Sequence, residues 1–244
     1  MNSANFCFRD ELNDFLIPAR KGAAFDYSFS ENPSVKHLIE ALGVPHTEVA
    51  GICVNGEPVN FSYRVQQDDR IEIIPASQPD EEQPPPEPCF VLDNHLGQLA
   101  TYLRMLGFDT LYRNDYQDDE LAQVTSQEGR ILLTRDRRLL MRKVVVHGYC
   151  IRDLEPRLQV LEVLRRFDLY EKITPFQRCL RCNHPLQPVS KESVLDRLEP
   201  LTKRYYEEFH LCPACNQVYW KGSHYERMQG LIEAVTHENI DNGK

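Results

Sequence analysis

A run of proline and acidic residues divides the chain into two parts. Residues 77–88 (SQPDEEQPPPEP) contain five prolines, four acids and no large apolar side chain. A segment of this composition cannot bury a hydrophobic core, so we expect it to serve as a linker. We predict an N-terminal domain over 1–78, a Pro/Glu-rich linker over 79–88 and a second folded region beyond it. We expect the linker to make the two parts independent folding units.

The charge of the chain is distributed unevenly between these parts. The formal net charge is -9, yet residues 1–88 hold 6 Lys and Arg against 15 Asp and Glu, whereas the remainder holds 22 of each. A uniformly acidic protein would repel the polyanionic backbone of RNA. Because the excess acid lies before residue 89, composition does not exclude RNA binding by the second part.

The sequence shows no targeting or membrane-spanning segment. The N-terminus carries acids within its first turns, and no stretch approaches about 18 consecutive apolar residues. We therefore expect a cytoplasmic protein that does not contact a membrane.

The N-terminal part has the pattern strand, strand, helix, strand, strand. The predicted elements are strands over 5–9 and 24–29, a helix over 34–42, a strand over 49–54 with a hairpin into 57–59, and a strand over 70–74. This order predicts a β-grasp fold. The stretches LGVPHTEVAGICVNG and DDRIEIIP resemble the ubiquitin-like family that includes the small sulfur carriers. Those carriers end in a free Gly-Gly, whereas this chain continues for 168 residues after Ala76. We therefore expect a module that binds a protein partner or regulates the chain, rather than a sulfur carrier.

The second part alternates strands with helices. The predicted strands lie over 90–92, 110–112, 130–134 and 144–150, and the predicted helices lie over 96–106, 118–128, 137–143 and 154–167. Short connections between them predict a parallel sheet covered by helices, an α/β arrangement. The whole chain is therefore expected to be of the α+β plus α/β class.

Four aspartates occupy positions typical of ligands in α/β folds. Asp93 follows the first strand of this part, Asp118 and Asp119 open a helix, and Asp136 follows the strand ILLT. Carboxylates that converge repel each other unless a cation neutralises them, and oxygen ligands favour Mg²⁺ or Mn²⁺. The alternative interpretation is that each residue caps a helix or ends a strand.

The stretches FVLDNHLGQLATYLRMLGFDTLYRND and DDELAQVTSQEGRILLTRDRRLL resemble the PIN-like RNase domain first seen at the C-terminus of the mutator-seven exonuclease (Mut7-C). The resemblance covers about 89–224, and members of this family typically carry the same ubiquitin-like domain in front. It implies that Asp93 and Asp136 are metal-binding acids, and that Asp118 or the adjacent Asp119 is the helix-opening acid. We place the PIN-like nuclease domain at 89–175.

Basic residues near this acidic set suggest how RNA would be held. Arg135 and Arg137 flank Asp136, and Arg104 lies on the first predicted helix of the second part. Guanidinium groups suit contacts to phosphate, which position a backbone without reading its sequence. The alternative interpretation is a solvent-exposed helix face.

Two CxxC pairs predict a metal site in the region 176–244. Cys179 and Cys182 form the first pair, Cys212 and Cys215 form the second, and 29 residues separate the pairs. Four thiolates suit a closed tetrahedral zinc site, which is structural rather than catalytic. The alternative is a pair of redox-active motifs, for which a thioredoxin-like context is missing. For the nearby aromatic residues two interpretations are open, stacking on RNA bases or forming the core of the predicted zinc ribbon.

Together these features favour a metal-dependent endoribonuclease with structural Zn²⁺, catalytic Mg²⁺ or Mn²⁺, and RNA as its substrate. A non-catalytic adaptor that binds RNA or the ribosome is the alternative, in which the aspartates are only caps. A protein-interaction hub organised by the ubiquitin-like domain is a third hypothesis.

Overall fold

The computed structural model describes residues 1–76, 88–175 and 177–222, together with residues 226 and 230. The predicted linker 79–88 lies outside the described residues except for Pro88. The chain forms two compact units. One comprises residues 1–85 and 117–151, and the other comprises residues 86–116 and 152–244.

Strands and helices are numbered in chain order. The strands are β1 (Asn2–Phe8), β2 (Phe25–Phe29), β3 (Val49–Val54), β4 (Glu57–Val59), β5 (Arg70–Pro75), β6 (Phe90–Leu92), β7 (Thr110–Tyr112), β8 (Ile131–Thr134), β9 (Gly148–Cys150), β10 (Gln187–Val189), β11 (Phe209–Leu211) and β12 (Val218–Trp220). The helices are α1 (Val35–Ala41), α2 (Gly97–Met105), α3 (Asp118–Glu128), α4 (Arg137–Leu140), α5 (Pro156–Arg166), α6 (Lys191–Val194) and α7 (Pro200–Tyr205).

The first five strands form one mixed sheet in the order β2-β1-β5-β3-β4. The central pair, β1 and β5, is parallel, and the other neighbouring pairs are antiparallel. This arrangement confirms the predicted ubiquitin-like fold. The chain leaves β5 through Ala76, whose N–H donates to the carbonyl oxygen of Glu48 at 2.9 Å.

One face of this sheet is covered by α1, as its sequence predicts. Ser34 caps the helix by accepting a hydrogen bond from the N–H of His37. Val35, Leu38 and Ile39 recur at helical spacing and are buried. The side chains that alternate along β1, including Phe6 and Phe8, complete the core from the sheet. The largest fully buried side chains of this domain are Phe6, Leu12, Ile39, Ile71 and Ile73.

Parallel strands follow in both units, as predicted for an α/β fold. In one unit β6 pairs with β7, and in the other β8 pairs with β9. All three residues of β6 are buried, as expected for a strand within a parallel sheet. In the same unit as β6, α2 packs against α5, and the ring of Phe90 lies 5.7 Å from that of Phe167.

The cysteine-containing region has a small antiparallel sheet in the order β10-β11-β12. Its hydrophobic cluster consists of Val194, Leu198, Phe209 and Val218, with Val189, Tyr206 and Leu211 partly buried against it. A core of this size gives little stability by itself, which agrees with a fold that depends on metal binding.

Across the described parts of the chain, the helices are too short or too polar to cross a bilayer.

Candidate functional site

The four cysteines predicted as zinc ligands come together in the structure. Their sulfur atoms all lie within 4.8 Å of one another. The Cys179 and Cys215 sulfurs are 3.5 Å apart, and the Cys182 and Cys212 sulfurs are 3.4 Å apart. Four sulfurs bound tetrahedrally to zinc would be separated by about 3.8 Å, given Zn–S bonds of about 2.3 Å. The cluster therefore has the dimensions of a zinc site.

Each CxxC pair forms the same tight turn. An asparagine follows each pair and adopts a left-handed conformation, with φ of 69° at Asn183 and 61° at Asn216. The N–H of Asn183 donates to the carbonyl of Cys179, and the N–H of Asn216 donates to that of Cys212, both at 2.8 Å. Asparagine tolerates this backbone conformation better than most residues do. The repeated CxxCN pattern thus explains the repeated geometry.

The first turn is anchored to β7 by buried hydrogen bonds. The side-chain oxygen of Asn183 accepts from the N–H of Thr110 at 2.9 Å, and its amide nitrogen donates to Asp109 at 2.8 Å. Asn183 is only 5% exposed. The Asn183 side chain therefore joins the first CxxC turn to β7, the strand that follows α2.

Arg104 also joins this turn to the parallel strands. It is 4% exposed, and its guanidinium donates to the carbonyl oxygens of Thr110, Leu180 and Arg181 at 2.9, 3.0 and 3.2 Å. Burial lowers the pKa of Arg104, and the neighbouring cysteine thiols oppose that shift. These contacts give Arg104 a structural role, and its predicted role in RNA binding stays a prediction.

Tyr219, in strand β12, contacts the cysteine cluster. Its hydroxyl lies 3.1 Å from the sulfur of Cys179 and accepts a hydrogen bond from the N–H of Leu180 at 3.1 Å. Groups that hydrogen-bond to a metal ligand fix its orientation. The side chain of Tyr219 thus helps to hold the cysteine cluster together.

Asp93 directly follows β6 and is 7% exposed. One of its carboxylate oxygens accepts a hydrogen bond from the N–H of Asn94 at 2.6 Å, which caps a short 3-10 helix, Asn94–Leu96. Burying a carboxylate is costly unless hydrogen bonds or a cation compensate it. Asp93 thus combines the cap position with the burial expected of a site residue.

The other three aspartates lie in the compact unit that contains β8. Asp136 caps α4 by accepting from the N–H of Arg138 at 2.8 Å, whereas Asp118 and Asp119 are exposed in the first turn of α3. Asp119 forms an ion pair with Arg142. The pKa of Arg142 is raised, first by its hydrogen bond to Asp119 and further by the charges of Asp118 and Asp136.

The positive charge of Arg142 therefore interacts with all three of these aspartates. Among the described residues, however, the cysteines are the one set of three or more potential metal ligands whose donor atoms lie within 4.8 Å of one another. Asp118, Asp119 and Asp136, which share one compact unit, do not form such a set.

The two remaining predicted RNA-binding arginines differ in their surroundings. Arg135 is exposed between β8 and α4. Arg137 donates to the carbonyl oxygen of Phe15 at 3.0 Å, and its guanidinium carbon lies 4.8 Å from the centre of the Phe15 ring. Arg137 thus contacts the N-terminal domain, and the predicted contact of Arg135 with RNA stays a prediction.

Sequence reasoning missed several residues of these sites. Asn183 and Tyr219 support the cysteine cluster, and Arg142 forms an ion pair with Asp119 in the first turn of α3. The asparagine after each CxxC pair was a visible signal. Nothing in the local sequence indicated the partners of Tyr219 and Arg142, because they lie 40 and 23 residues away.

Two family models match the chain. The Mut7-C RNAse domain model matches residues 88–232, and the Mut7-C ubiquitin model matches residues 1–81. Comparisons with curated proteins and with solved structures gave no match. Because the RNase model covers more than half of the chain and the two models occur in the predicted order, the chain belongs to the Mut7-C RNase family and carries the Mut7-C ubiquitin-like domain in front of its RNase domain.

Proposed function

We propose that the chain is a metal-dependent endoribonuclease that hydrolyses RNA phosphodiester bonds with Mg²⁺ or Mn²⁺. The family match supports a nuclease function. The metal-dependent part is supported chiefly by the position of Asp93, a buried carboxylate at the carboxyl end of the parallel strand β6. Ligands of open α/β sheets bind beyond the carboxyl ends of such strands.

In this proposal Asp93, Asp118, Asp119 and Asp136 supply oxygen ligands, which hard divalent cations prefer. When bound, such a cation would supply an activated water and would stabilise the leaving oxygen of the phosphodiester. The hydrogen bonds from the N–H groups of Asn94 and Arg138 hold the carboxylates of Asp93 and Asp136 in fixed orientations.

Each carboxylate has two oxygens, so a cap hydrogen bond to one oxygen is compatible with metal binding through the other. The exposed guanidinium of Arg135 would position the RNA backbone. Arg142 offsets part of the negative charge of the acids.

The nuclease proposal is tested by substituting single aspartates. We expect Asp93→Asn and Asp136→Asn each to reduce Mn²⁺-dependent cleavage by about 100-fold or more, because each variant removes a charged ligand while preserving side-chain shape. A circular RNA is the appropriate substrate, since it has no ends and only internal cleavage can open it. The matched control is Asp115→Asn, which changes an exposed aspartate that pairs with Arg113.

Cleavage at the wild-type rate by both variants would contradict the assignment of these aspartates. A wild-type protein that opens no circular RNA with either cation would contradict the endonuclease proposal itself.

A second function, a non-catalytic RNA-binding adaptor, is favoured by one observation. Asp93 and Asp136 both act as caps in the structure, as that hypothesis requires. If the protein is an adaptor, the Asp93→Asn variant should bind RNA as tightly as the wild type does. The wild type should then show no Mn²⁺ binding by isothermal titration calorimetry. Mn²⁺ binding that weakens in Asp93→Asn would instead support the nuclease.

We also propose that Cys179, Cys182, Cys212 and Cys215 bind one structural zinc ion. The compact arrangement of their sulfurs supports this assignment, and a shell of four protein ligands leaves no position for a catalytic water. Elemental analysis of the purified protein is expected to give one zinc per chain. Absence of zinc together with a disulfide in either CxxC pair would favour the redox alternative.

A further inference from the structure

The ubiquitin-like domain contacts the outer edge of β9. β9 is an edge strand that pairs with β8 on one side. The N–H of Ile151 points towards β8, where it donates to the carbonyl of Thr134 at 2.9 Å. Alternate N–H groups of a strand point to opposite sides, so the N–H of Cys150 points outward. It donates to a carboxylate oxygen of Glu48 at 2.6 Å.

Glu48 is an unusual residue to find at such a contact. It is 3% exposed, although glutamate is rarely buried without a partner. Its carboxylate accepts the hydrogen bond that a further strand would otherwise accept from Cys150. The short 3-10 helix His46–Glu48, here called the edge turn, thus closes the open side of β9.

A second hydrogen bond joins the edge turn to the loop before β9. Nε2 of His46 lies 3.0 Å from the carbonyl oxygen of Val145. Since a carbonyl oxygen can only accept, this ring nitrogen carries the proton. Nδ1 of the same ring lies 2.8 Å from the carboxylate of Glu40, which fixes the orientation of the imidazole. Val145 is fully buried at this contact.

The third contact lies on α4. The Arg137 guanidinium donates to the carbonyl of Phe15 and packs over the Phe15 ring. Its interaction with both groups combines a charge-assisted hydrogen bond with a cation–π contact. The N-terminal domain therefore holds the stretch 137–150 at three separate points, and residues 1–85 and 117–151 form one compact unit.

We infer that the binding partner of the edge turn is the β9 edge of its own chain, and that residues 1–76 remain docked on 137–150 independently of the linker. The surface around the edge turn serves an intramolecular interface. An external protein must therefore bind another part of the ubiquitin-like domain. This inference does not depend on nuclease activity or on zinc.

The experiment cuts the linker of the full-length protein. A site for a specific protease is placed within residues 79–86, the purified protein is cleaved, and the products are separated by gel filtration at micromolar concentration. We expect the two fragments to elute together. Fragments that separate completely would overturn the inference, whatever the variants described next do.

A double variant tests whether the edge turn is responsible for the binding of residues 1–76 to residues 137–150. We expect Glu48→Ala combined with His46→Ala to raise the dissociation constant of the cleaved fragments by about 10- to 100-fold, because hydrogen bonds involving charged or buried groups are lost. The matched control is Glu57→Ala, which changes an exposed glutamate in β4 of the same domain. Circular dichroism of the N-terminal fragment checks that the double variant is folded. A folded double variant that binds as tightly as the control would overturn the role of the edge turn.

Discussion

Single residues account for the connection between the cysteine turns and the parallel strands. Arg104 and Asn183 are buried, and both bond to Thr110. From the sequence, Arg104 was predicted to bind RNA because it is basic and lies on a helix near the acids. Its carbonyl partners at Leu180 and Arg181 are 76 and 77 residues away, so the local pattern carries no information about them.

At this scale Asn183→Ala is expected to lower the free energy of unfolding by about 2 to 4 kcal/mol. The substitution removes two hydrogen bonds, one of them fully buried, and leaves the N–H of Thr110 without its acceptor. It also places alanine in a left-handed conformation. Urea unfolding of the full-length protein in excess zinc measures the change.

The chain offers a matched control in Asn216→Ala. Asn216 has nearly the same backbone conformation, but it is exposed and its side chain accepts from Arg197 at the surface. This variant shares the backbone strain and lacks the buried bonds, so its effect should be smaller by about 1 to 3 kcal/mol. Equal losses in the two variants would show that the buried bonds contribute nothing.

At the scale of elements, hydrophobic periodicity predicted most helices and strands, and the ends were less accurate. The strand predicted over 144–150 is limited to Gly148–Cys150. Val144 and Val146 are exposed while Val145 is buried, an alternation that resembles a strand. The backbone of Val145 instead bonds to Arg142 and His46, and those tertiary contacts were invisible in the sequence.

The first residue of a helix is also difficult to predict from the sequence. The sequence allows Asp118 to be the N-cap of α3. In the structure the N-cap is Gln117, whose N–H donates to Glu120. Asp118 and Asp119 lie inside the first turn, where negative charge interacts favourably with the helix dipole. Their role as metal ligands stays a prediction.

Removing zinc is expected to unfold the cysteine-containing element and to leave the ubiquitin-like sheet intact. The hydrophobic cluster of residues 177–222 is small, so ligand binding should supply much of its stability. We expect a chelator, or Cys182→Ser, to abolish hydrogen-exchange protection in 177–222. Protection at the amide of Thr110 should fall as well, because Asn183 is its acceptor.

The control for this experiment is Cys53→Ser, which changes a partly buried cysteine outside the cluster. Strands β1 and β5 should keep their protection in every sample. Undiminished protection of 177–222 after complete zinc removal would rule out a structural metal.

At the scale of the whole molecule, composition predicts a boundary between the domains but none of the interactions that join residues 1–76 to residues 137–150. The order of the ubiquitin-like, nuclease and zinc-ribbon regions followed from local patterns and from family resemblance. The expectation of independent folding units stays a prediction, and the structure sets against it that residues 117–151 belong to the same compact unit as the N-terminal domain. Glu48 and Cys150 are 102 residues apart, and no local pattern encodes their contact.

Deleting residues 1–78 is therefore expected to lower the melting temperature of the remaining chain by several degrees. The deletion leaves the N–H of Cys150 without the Glu48 carboxylate and the carbonyl oxygen of Val145 without the His46 ring nitrogen, and losses of about 1 kcal/mol shift melting by about 2 to 4 °C in chains of 150–250 residues. Differential scanning calorimetry of residues 79–244 with zinc measures the shift. The full-length Glu57→Ala protein is the control, and an unchanged melting temperature would contradict the expected coupling.

Glu48 connects two distant parts of the chain with two different groups. Its carbonyl holds Ala76, the last described residue before the linker, and its carboxylate holds Cys150 in β9. The position of the ubiquitin-like domain on β9 thus depends on Glu48 and its neighbours rather than on the length of the linker. Natural relatives should accordingly tolerate insertions and deletions between the two domains, while substitutions at the position of Glu48 should be rare and accompanied by changes around the position of Cys150.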